Sequence, residues 1–387
     1  MSEVSTNRRN NRQWVVFGPD WGRHPSTCQH LFTELLAVDS VIWVETVGLR
    51  PPKLTPRDLS RSWQKLMDYI SGRRKRAAAA QSGLTVACPM TLPFPQSRLA
   101  RQFNLWQIRR CVAKACHRLG FKDHTLVVTA PSHCDVAGRL GESLRIYYCP
   151  DNYALWPGMN AQLVQKMEAE LTQRVDAVVA VSDHLAERFK ASGKPVRVLT
   201  QGVNAAHFAR SLPQQNSGRF EIVYFGMIDE RLDLDLLVEL SMRLPQVLIR
   251  MIGPVVIDVR RLRELTNVKL EPQVPFADLP ASLVSANLFI MPFVVNELSK
   301  SCSPLKIKEY LACGRPVVAM AVPETQRLKA YVHVAEDRTS FIDAVVAAVN
   351  GSLPFDAQAV RLMIARERWA DKAKEFIEFV EAQRRCS

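Results

Sequence analysis

The sequence predicts an α/β protein of two doubly wound domains, each a parallel sheet flanked by helices. Three observations carry that reading. Short apolar runs recur along the chain, among them Trp14–Phe17, Leu126–Ala130, Val175–Val181, Ile222–Phe225 and Leu288–Met291. Each has the length and continuity of a strand buried on both faces. Polar, helix-periodic stretches separate them, which is the alternation that builds βαβ units. The length of 387 residues exceeds what one core ordinarily serves, so two domains of roughly 190 residues each are expected.

Composition narrows the class. Hydrophobic residues make up 47% and charged residues 23%, the balance of a chain that folds throughout. Nine cysteines (28, 88, 111, 116, 134, 149, 302, 313 and 386) are scattered, with no C-x-x-C pair. That speaks against a disulfide framework or zinc site and for a reducing compartment. No apolar run reaches the roughly 20 residues of a membrane-spanning helix. The polar start MSEVSTNRRNNRQ runs straight into a strand, so a secretory signal is not expected and the chain reads as cytoplasmic.

The charge of +13 is unevenly placed. Residues 1–200 hold 28 Lys and Arg against 16 Asp and Glu, a balance of +12, and the remainder holds 23 against 22, a balance of +1. The excess concentrates between Arg50 and Lys122. It includes Arg73-Arg74-Lys75-Arg76 and is interleaved with Trp63, Leu66, Ile70, Phe94, Phe103 and Trp106. Such a mixture suits an anionic membrane surface, where each cation contributes about 1 kcal/mol. Nucleic acid is the rival partner, but no nucleic-acid-binding module signature accompanies the charge. A solvated basic face is the third reading. The expectation is peripheral attachment at the inner face of the cell membrane, without nucleic acid.

In chain order, the first strand, Trp14–Phe17, closes on Gly18-Pro19-Asp20-Trp21 and precedes a helix through Leu31, Leu35 and Leu36. The turn lacks G-x-G-x-x-G spacing, so a dinucleotide site is not expected. Val41–Val44 and Leu126–Ala130 are further strands, the latter followed by a helix around Val136–Leu140. Arg145–Cys149 is a strand ending in Pro150-Asp151-Asn152. A carboxylate there lies where open α/β sheets bind ligands, and partial burial would raise its pKa toward that of a general base. A turn or N-cap role for Asp151 is the alternative. Helix Ala161–Arg174, strand Val175–Val181, helix Asp183–Lys190 and strand Val196–Leu199 complete a first domain of residues 1–204. The polar, turn-rich stretch after Asn204 reads as the linker.

The pattern restarts at Ile222–Phe225, and Gly226 permits close backbone approach by a ligand. Val247–Ile252, closed by the turn Gly253-Pro254, and Leu288–Met291 are further strands of a second domain, residues 205–359. The stretch Met291–Glu324 then reads strand, loop, helix, turn, strand. Ser303-Pro304 offers an N-cap serine and a first-turn proline, and Gly314 a C-cap. A helix N-terminus opening off the carboxyl end of a parallel strand is an anion site, and Lys306 adds a full positive charge. The final residues, Phe341–Val349 and Val360–Ala382, read as helices.

SPLKIKEYLACGRPVV resembles the donor-binding segment of GT-B glycosyltransferases, in particular family 4 and related bacterial polysaccharide enzymes, including the xanthan-type glucuronosyltransferase layout. The resemblance covers residues 220–325 in order and spacing, and implies the GT-B architecture: two Rossmann-like domains facing across a cleft, with the terminal helix of 360–387 returning to the first. It implies that Glu309 holds the donor ribose. The helix start at Ser303, Pro304 and Leu305, with Lys306, would face the diphosphate, and backbone at Gly226, Gly253 and Val274 would line the nucleotide. The family pattern has a glutamate where Ser301 stands, with Glu297 as its nearest substitute. It has an arginine where Met227 stands, which leaves Arg231 as the basic residue of that loop. D-W-x-R-H-P-S-x-x-Q-H is similar to the acceptor-side loop of such enzymes, which implies acceptor roles for Asp20, His24, Ser26 and His30. Asp151 stands where related enzymes carry the base.

The resemblance thus implies a glycosyltransferase, hexosyltransferase-like and metal-independent. It would move a sugar from a nucleotide diphosphate donor, UDP-sugar ahead of GDP-sugar, to a hydroxyl of a saccharide or lipid-linked acceptor. No cofactor and no metal are expected. The Asp233-Leu234-Asp235 pair has D-x-D spacing but reads as a helix start. The alternatives are a nucleotide-sugar 2-epimerase of the same fold and a non-catalytic nucleotide-sugar-binding homologue.

Overall fold

The structure, a computed structural model, describes residues 12–22, 26–45, 81–211 and 218–386. His24 and the basic run Arg73–Arg76 lie outside them, as do Trp63, Leu66 and Ile70. The chain divides into two compact units, residues 1–200 with 372–387, and residues 201–371.

The first unit is a seven-stranded sheet of β1 (Gln13–Gly18), β2 (Ser40–Glu45), β3 (Leu84–Ala87), β4 (His124–Val128), β5 (Leu144–Cys149), β6 (Ala177–Ala180) and β7 (Val196–Val198), in the order β3-β2-β1-β4-β5-β6-β7. Every pairing is parallel, and Val15 lies between Ile42 and Leu126. Burial on both faces explains why these strands are continuous apolar runs and not alternating ones. Trp14 anchors the sheet. Its indole N–H donates to Asp39 at 2.9 Å, and its ring lies 5.6 Å from Phe376 of the terminal helix.

Helix α1 (Thr27–Leu35) is capped by the Ser26 hydroxyl. The mixed basic and apolar segment after it in sequence contains a 22-residue helix, α2 (Arg98–Leu119). Ser97 caps its start, and Gly120 ends it in the left-handed conformation, φ 67°. Ala100, Ile108, Val112 and Ala115 form its inward stripe. Helices α3 (Ala161–Arg174) and α4 (Asp183–Glu187) follow their strands as expected. The helix expected around Val136–Leu140 is instead a series of turns. Gly138 sits at φ 81°, and the Glu142 carboxylate accepts the N–H groups of Gly138 and Leu140, holding the segment in tight local bonds.

The second unit is a six-stranded parallel sheet of β8 (Glu221–Phe225), β9 (Leu248–Ile252), β10 (Val268–Glu271), β11 (Leu288–Met291), β12 (Val317–Met320) and β13 (His333–Ala335), in the order β10-β9-β8-β11-β12-β13. Its helices include α5 (Leu234–Arg243), α6 (Glu297–Ser301), α7 (Leu305–Ala312), α8 (Pro323–Arg327), α9 (Arg338–Val349) and α10 (Ala357–Ile364). Phe289 and Tyr310 stack 4.9 Å apart at the centre of its core, and the Tyr310 hydroxyl donates to the Phe225 carbonyl.

The unit boundaries differ from the expected 204 and 360. Gln201–Val203 belongs with the second unit, where the Val203 N–H donates to the Glu367 carbonyl. Helix α10 buries Val360 and Ile364 in the second core, and the last apolar-periodic run divides at residues 365–368 into α10 and α11 (Trp369–Cys386). From Lys372 onward α11 belongs to the first unit.

Candidate functional site

In each sheet the strand order reverses once between neighbours, at β1/β4 and at β8/β11. Connections leaving such neighbours run to opposite faces, which opens a crevice at their carboxyl ends. Several of the residues expected on the donor side gather at the second reversal. Gly226 ends β8 at φ 152°, and Gly253 follows β9 at φ 147°. A Cβ on Gly253 would lie 1.9 Å from the Gly226 carbonyl oxygen. One on Gly226 would lie 2.3 Å from Cε of Lys306. Glycine is required twice because backbone packs on backbone there and the Lys306 stem crosses it.

Lys306 stands on the first turn of α7, whose start differs from the sequence expectation. Pro304 is the N-cap and not the first helical residue, and no side chain caps the helix. Ser303, expected as the cap, is buried with its hydroxyl 3.5 Å from the Glu324 carboxylate. Helix α6 already uses Asn296 as its own cap and ends at Ser301, which leaves Cys302 and Ser303 to bridge two helices, with Cys302 and Pro304 extended. The Ile307 N–H donates to the Pro304 carbonyl at 3.2 Å, which leaves the N–H groups of Leu305 and Lys306 facing outward from the helix start, where an anion could be held.

Glu309, one turn beyond Lys306, is 8% exposed, and among the described residues no hydrogen bond to its carboxylate is present. Burial pushes its pKa up to about 7, against the pull of Lys306. A buried carboxylate without donors is a vacant acceptor, the arrangement a ribose diol would satisfy.

Arg231 is brought close but is already engaged. Its guanidinium forms a two-pronged pair with Asp229 at 2.9 and 2.6 Å, lies 3.6 Å from the Cys302 sulfur and stands 5.6 Å over Phe293. Its charge is largely offset by Asp229. Glu297 is not gathered in: it lies on the exposed side of α6, paired with Lys300 at 2.9 Å. Val274 follows β10, half-buried against the second core. Asp233 caps α5 and pairs with Arg338, and Asp235 pairs with Arg261.

On the first sheet, Asp20 follows β1 and its carbonyl accepts from the Gln29 amide. Ser26 is committed to capping α1, and His30 lies half-buried in that helix. Asp151 follows β5, two strands from β1, and its carboxylate accepts the N–H of Asn152 at 2.7 Å. A residue that no sequence motif marks stands directly at the reversal. His133 follows β4, its ring 5.2 Å from Phe17, and burial lowers its pKa to about 4. It is therefore neutral at physiological pH. Its only signal in the sequence is its place after an apolar run, and that acquires meaning once β4 is known to neighbour β1. Nearby, Cys134, Asp135 and Glu170 cluster, but Arg101 binds both carboxylates at 2.6 and 2.7 Å and Arg174 lies 3.5 Å from Asp135, so two arginines balance the two carboxylates.

Two doubly wound parallel sheets in succession, each reversing order once, define the GT-B class of α/β fold. Structural likeness agrees at full length. Sucrose-phosphate synthase from Thermosynechococcus elongatus superposes with a TM-score of 0.71 at 13% identity, covering 97% of this chain and 100% of that one. Anabaena Alr3699/HepE, solved in complex with UDP-glucose, gives 0.66 at 12% identity, covering 96% and 99%. At these identities the likeness establishes the fold. In sequence, residues 219–350 match the family described as glycosyl transferases group 1. TuaH of Bacillus subtilis (strain 168), named for teichuronic acid biosynthesis as a glycosyltransferase, is 25% identical over 225 residues. That match takes in 52% of this chain and 57% of TuaH, little more than half of the relative. The fold is thus the GT-B fold, and residues 219–350 resemble the group 1 glycosyl transferases in sequence.

Proposed function

We propose that the protein transfers a sugar from a nucleoside diphosphate donor, UDP-sugar foremost, to a hydroxyl of a saccharide or lipid-linked acceptor in polysaccharide assembly. The observation that carries this is the buried Glu309, without a hydrogen-bond donor among the described residues, one turn beyond the start of α7, with Lys306 crossing Gly226 beside it. The similarity to TuaH and the group 1 match support the same reading. In the step proposed, the acceptor oxygen bonds to the anomeric carbon as the bond from that carbon to the β-phosphate oxygen breaks. The bonding pair leaves with the nucleoside diphosphate, where the α7 N–H groups and Lys306 stabilise the growing charge. In an inverting course the acceptor proton passes to Asp151. Neither metal nor cofactor is needed, because protein dipoles and a lysine serve as the counter-charge.

The test is incubation with labelled nucleotide-sugars and a bacterial lipid extract, in buffer with and without chelator. Sugar transferred to an extractable acceptor, insensitive to chelation, is the expected result. Conversion of the nucleotide-sugar without acceptor would instead identify an epimerase. Asp151→Asn is expected to leave UDP binding within twofold and to lower turnover by about 10²–10⁴. Unchanged turnover would place the base elsewhere, with His133 the next residue to test.

The membrane partner belongs to the same proposal. Among the described residues no helix is long and apolar enough to cross a membrane. Exposed apolar side chains nevertheless gather at the start of α2. Leu99 is 79% exposed and Trp106 53%, with Arg110 stacked over Trp106 at 5.8 Å. Leu92 is tied to the same helix through Asn104, and Phe94 and Met90 are exposed beside it in sequence. Apolar and cationic groups on one face fit an anionic bilayer. Replacing Leu99 and Trp106 together by serine is expected to cut flotation with phosphatidylglycerol vesicles by about tenfold or more, and wild-type binding to weaken with salt. Equal flotation of both proteins would exclude this face.

A further inference from the structure

Lys308 lies between Lys306 and Glu309 in sequence but points away from the donor side. It is 3% exposed. Its ammonium donates to the Gln201 carbonyl and pairs with the Glu367 carboxylate at 2.6 Å. These partners belong to the two segments through which the chain passes between its units, at residues 200/201 and 371/372. The segments are also tied to each other. The Val203 N–H donates to the Glu367 carbonyl at 2.8 Å, and Val203 pairs with Arg368 in a short parallel bridge. Gly202 is packed so closely on Trp369 that a Cβ there would lie 2.6 Å from the indole. A single buried cation thus pins both crossing segments to the helix that carries the candidate phosphate and ribose contacts.

A lysine is a costly choice for structural filling at such a position. Its ammonium must be desolvated, a cost that the carboxylate and carbonyl help to offset. A leucine or methionine would fill the same space without the penalty. What the lysine adds is direction: its bonds fix the rotation of α7 relative to two chain segments distant in sequence.

We propose that Lys308 is a positioning residue that couples nucleotide occupancy of α7 to the two crossing segments. This rests on the donor reading of α7. Diphosphate on the helix start and ribose on Glu309 hold α7 in one rotation, and through Lys308 that restraint reaches Gln201 and Glu367.

Hydrogen exchange on the full chain, with and without saturating UDP and in parallel GDP, tests this. Nucleotide is expected to slow exchange of the Val203 amide and of peptides covering 199–205 and 364–371 by about tenfold. In Lys308→Met, nucleotide should bind within about threefold of wild type while that protection disappears. Lys308→Arg, which restores a cation, should recover part of it. Glu367→Gln is the milder second variant should the methionine protein not fold, with protection reduced to about a third. Binding with equal protection in wild type and variants overturns the coupling, as does binding without protection in wild type. Failure of wild type to bind either nucleotide overturns the donor reading and the coupling with it.

Discussion

Glu309→Gln is expected to weaken UDP binding at pH 8 by about 10- to 100-fold while making the empty protein more stable. The first effect follows from replacing a charged acceptor by a neutral one; hydrogen bonds to charged groups contribute about 1.5–3 kcal/mol. The second follows from burial, which raises the Glu309 pKa from 4.5 to about 7. Between those values the folded protein holds a proton that the unfolded chain has lost. The stability this residue contributes is full below pH 4.5 and lost as pH rises through 7. Above pH 7 the buried anion costs on the order of 3 kcal/mol, which glutamine removes. Thermal unfolding should show the variant gaining at pH 8 and not at pH 4.5. Wild-type UDP affinity should fall as pH drops below 7, whereas the variant's should stay flat. Unaltered affinity in the glutamine variant would remove Glu309 from the donor site.

Lys306→Met is expected to lower kcat/KM for the donor by about 10²–10³, since it removes one counter-charge to the leaving diphosphate. Methionine keeps most of the stem that lies across Gly226, so the fold should be preserved and circular dichroism unchanged. Gly226→Ala is the complementary change. It forces a Cβ onto Lys306 at a backbone angle that favours glycine, and should reduce turnover to a similar degree. Full activity of the methionine variant would shift the diphosphate grip to Arg231. That outcome would require Arg231 to release Asp229, which binds it at 2.6 Å.

Much of this was legible before any coordinates. Apolar runs buried on two faces read directly as strands, and eleven of the thirteen strands lie on segments that composition or the family resemblance marks. The exceptions, Leu84–Ala87 and His333–Ala335, are short and lie at the ends of their sheets, where one flank is open and the apolar signal fades. Helix α2 was hidden because its buried stripe contains two alanines and its outer face mixes apolar with basic residues. Helix α7 was legible because its signals are local: a proline at its start, a glycine at its end and a lysine and glutamate three positions apart.

What the sequence alone determined is the succession of parallel strands and helices, and the chemical types standing at strand ends. Those depend on periodicity and on turn residues acting within a few positions. Tertiary structure decided which of them matter. It left Ser303 bonded to Glu324 and the helix start open, paired Arg231 with Asp229, and kept Glu297 in solvent. It set His133 beside β1 and turned Lys308 toward segments far away in the chain. The physical reason is that a charged or polar side chain takes its meaning from burial and partners. Partners brought together by strand order leave no mark on local sequence.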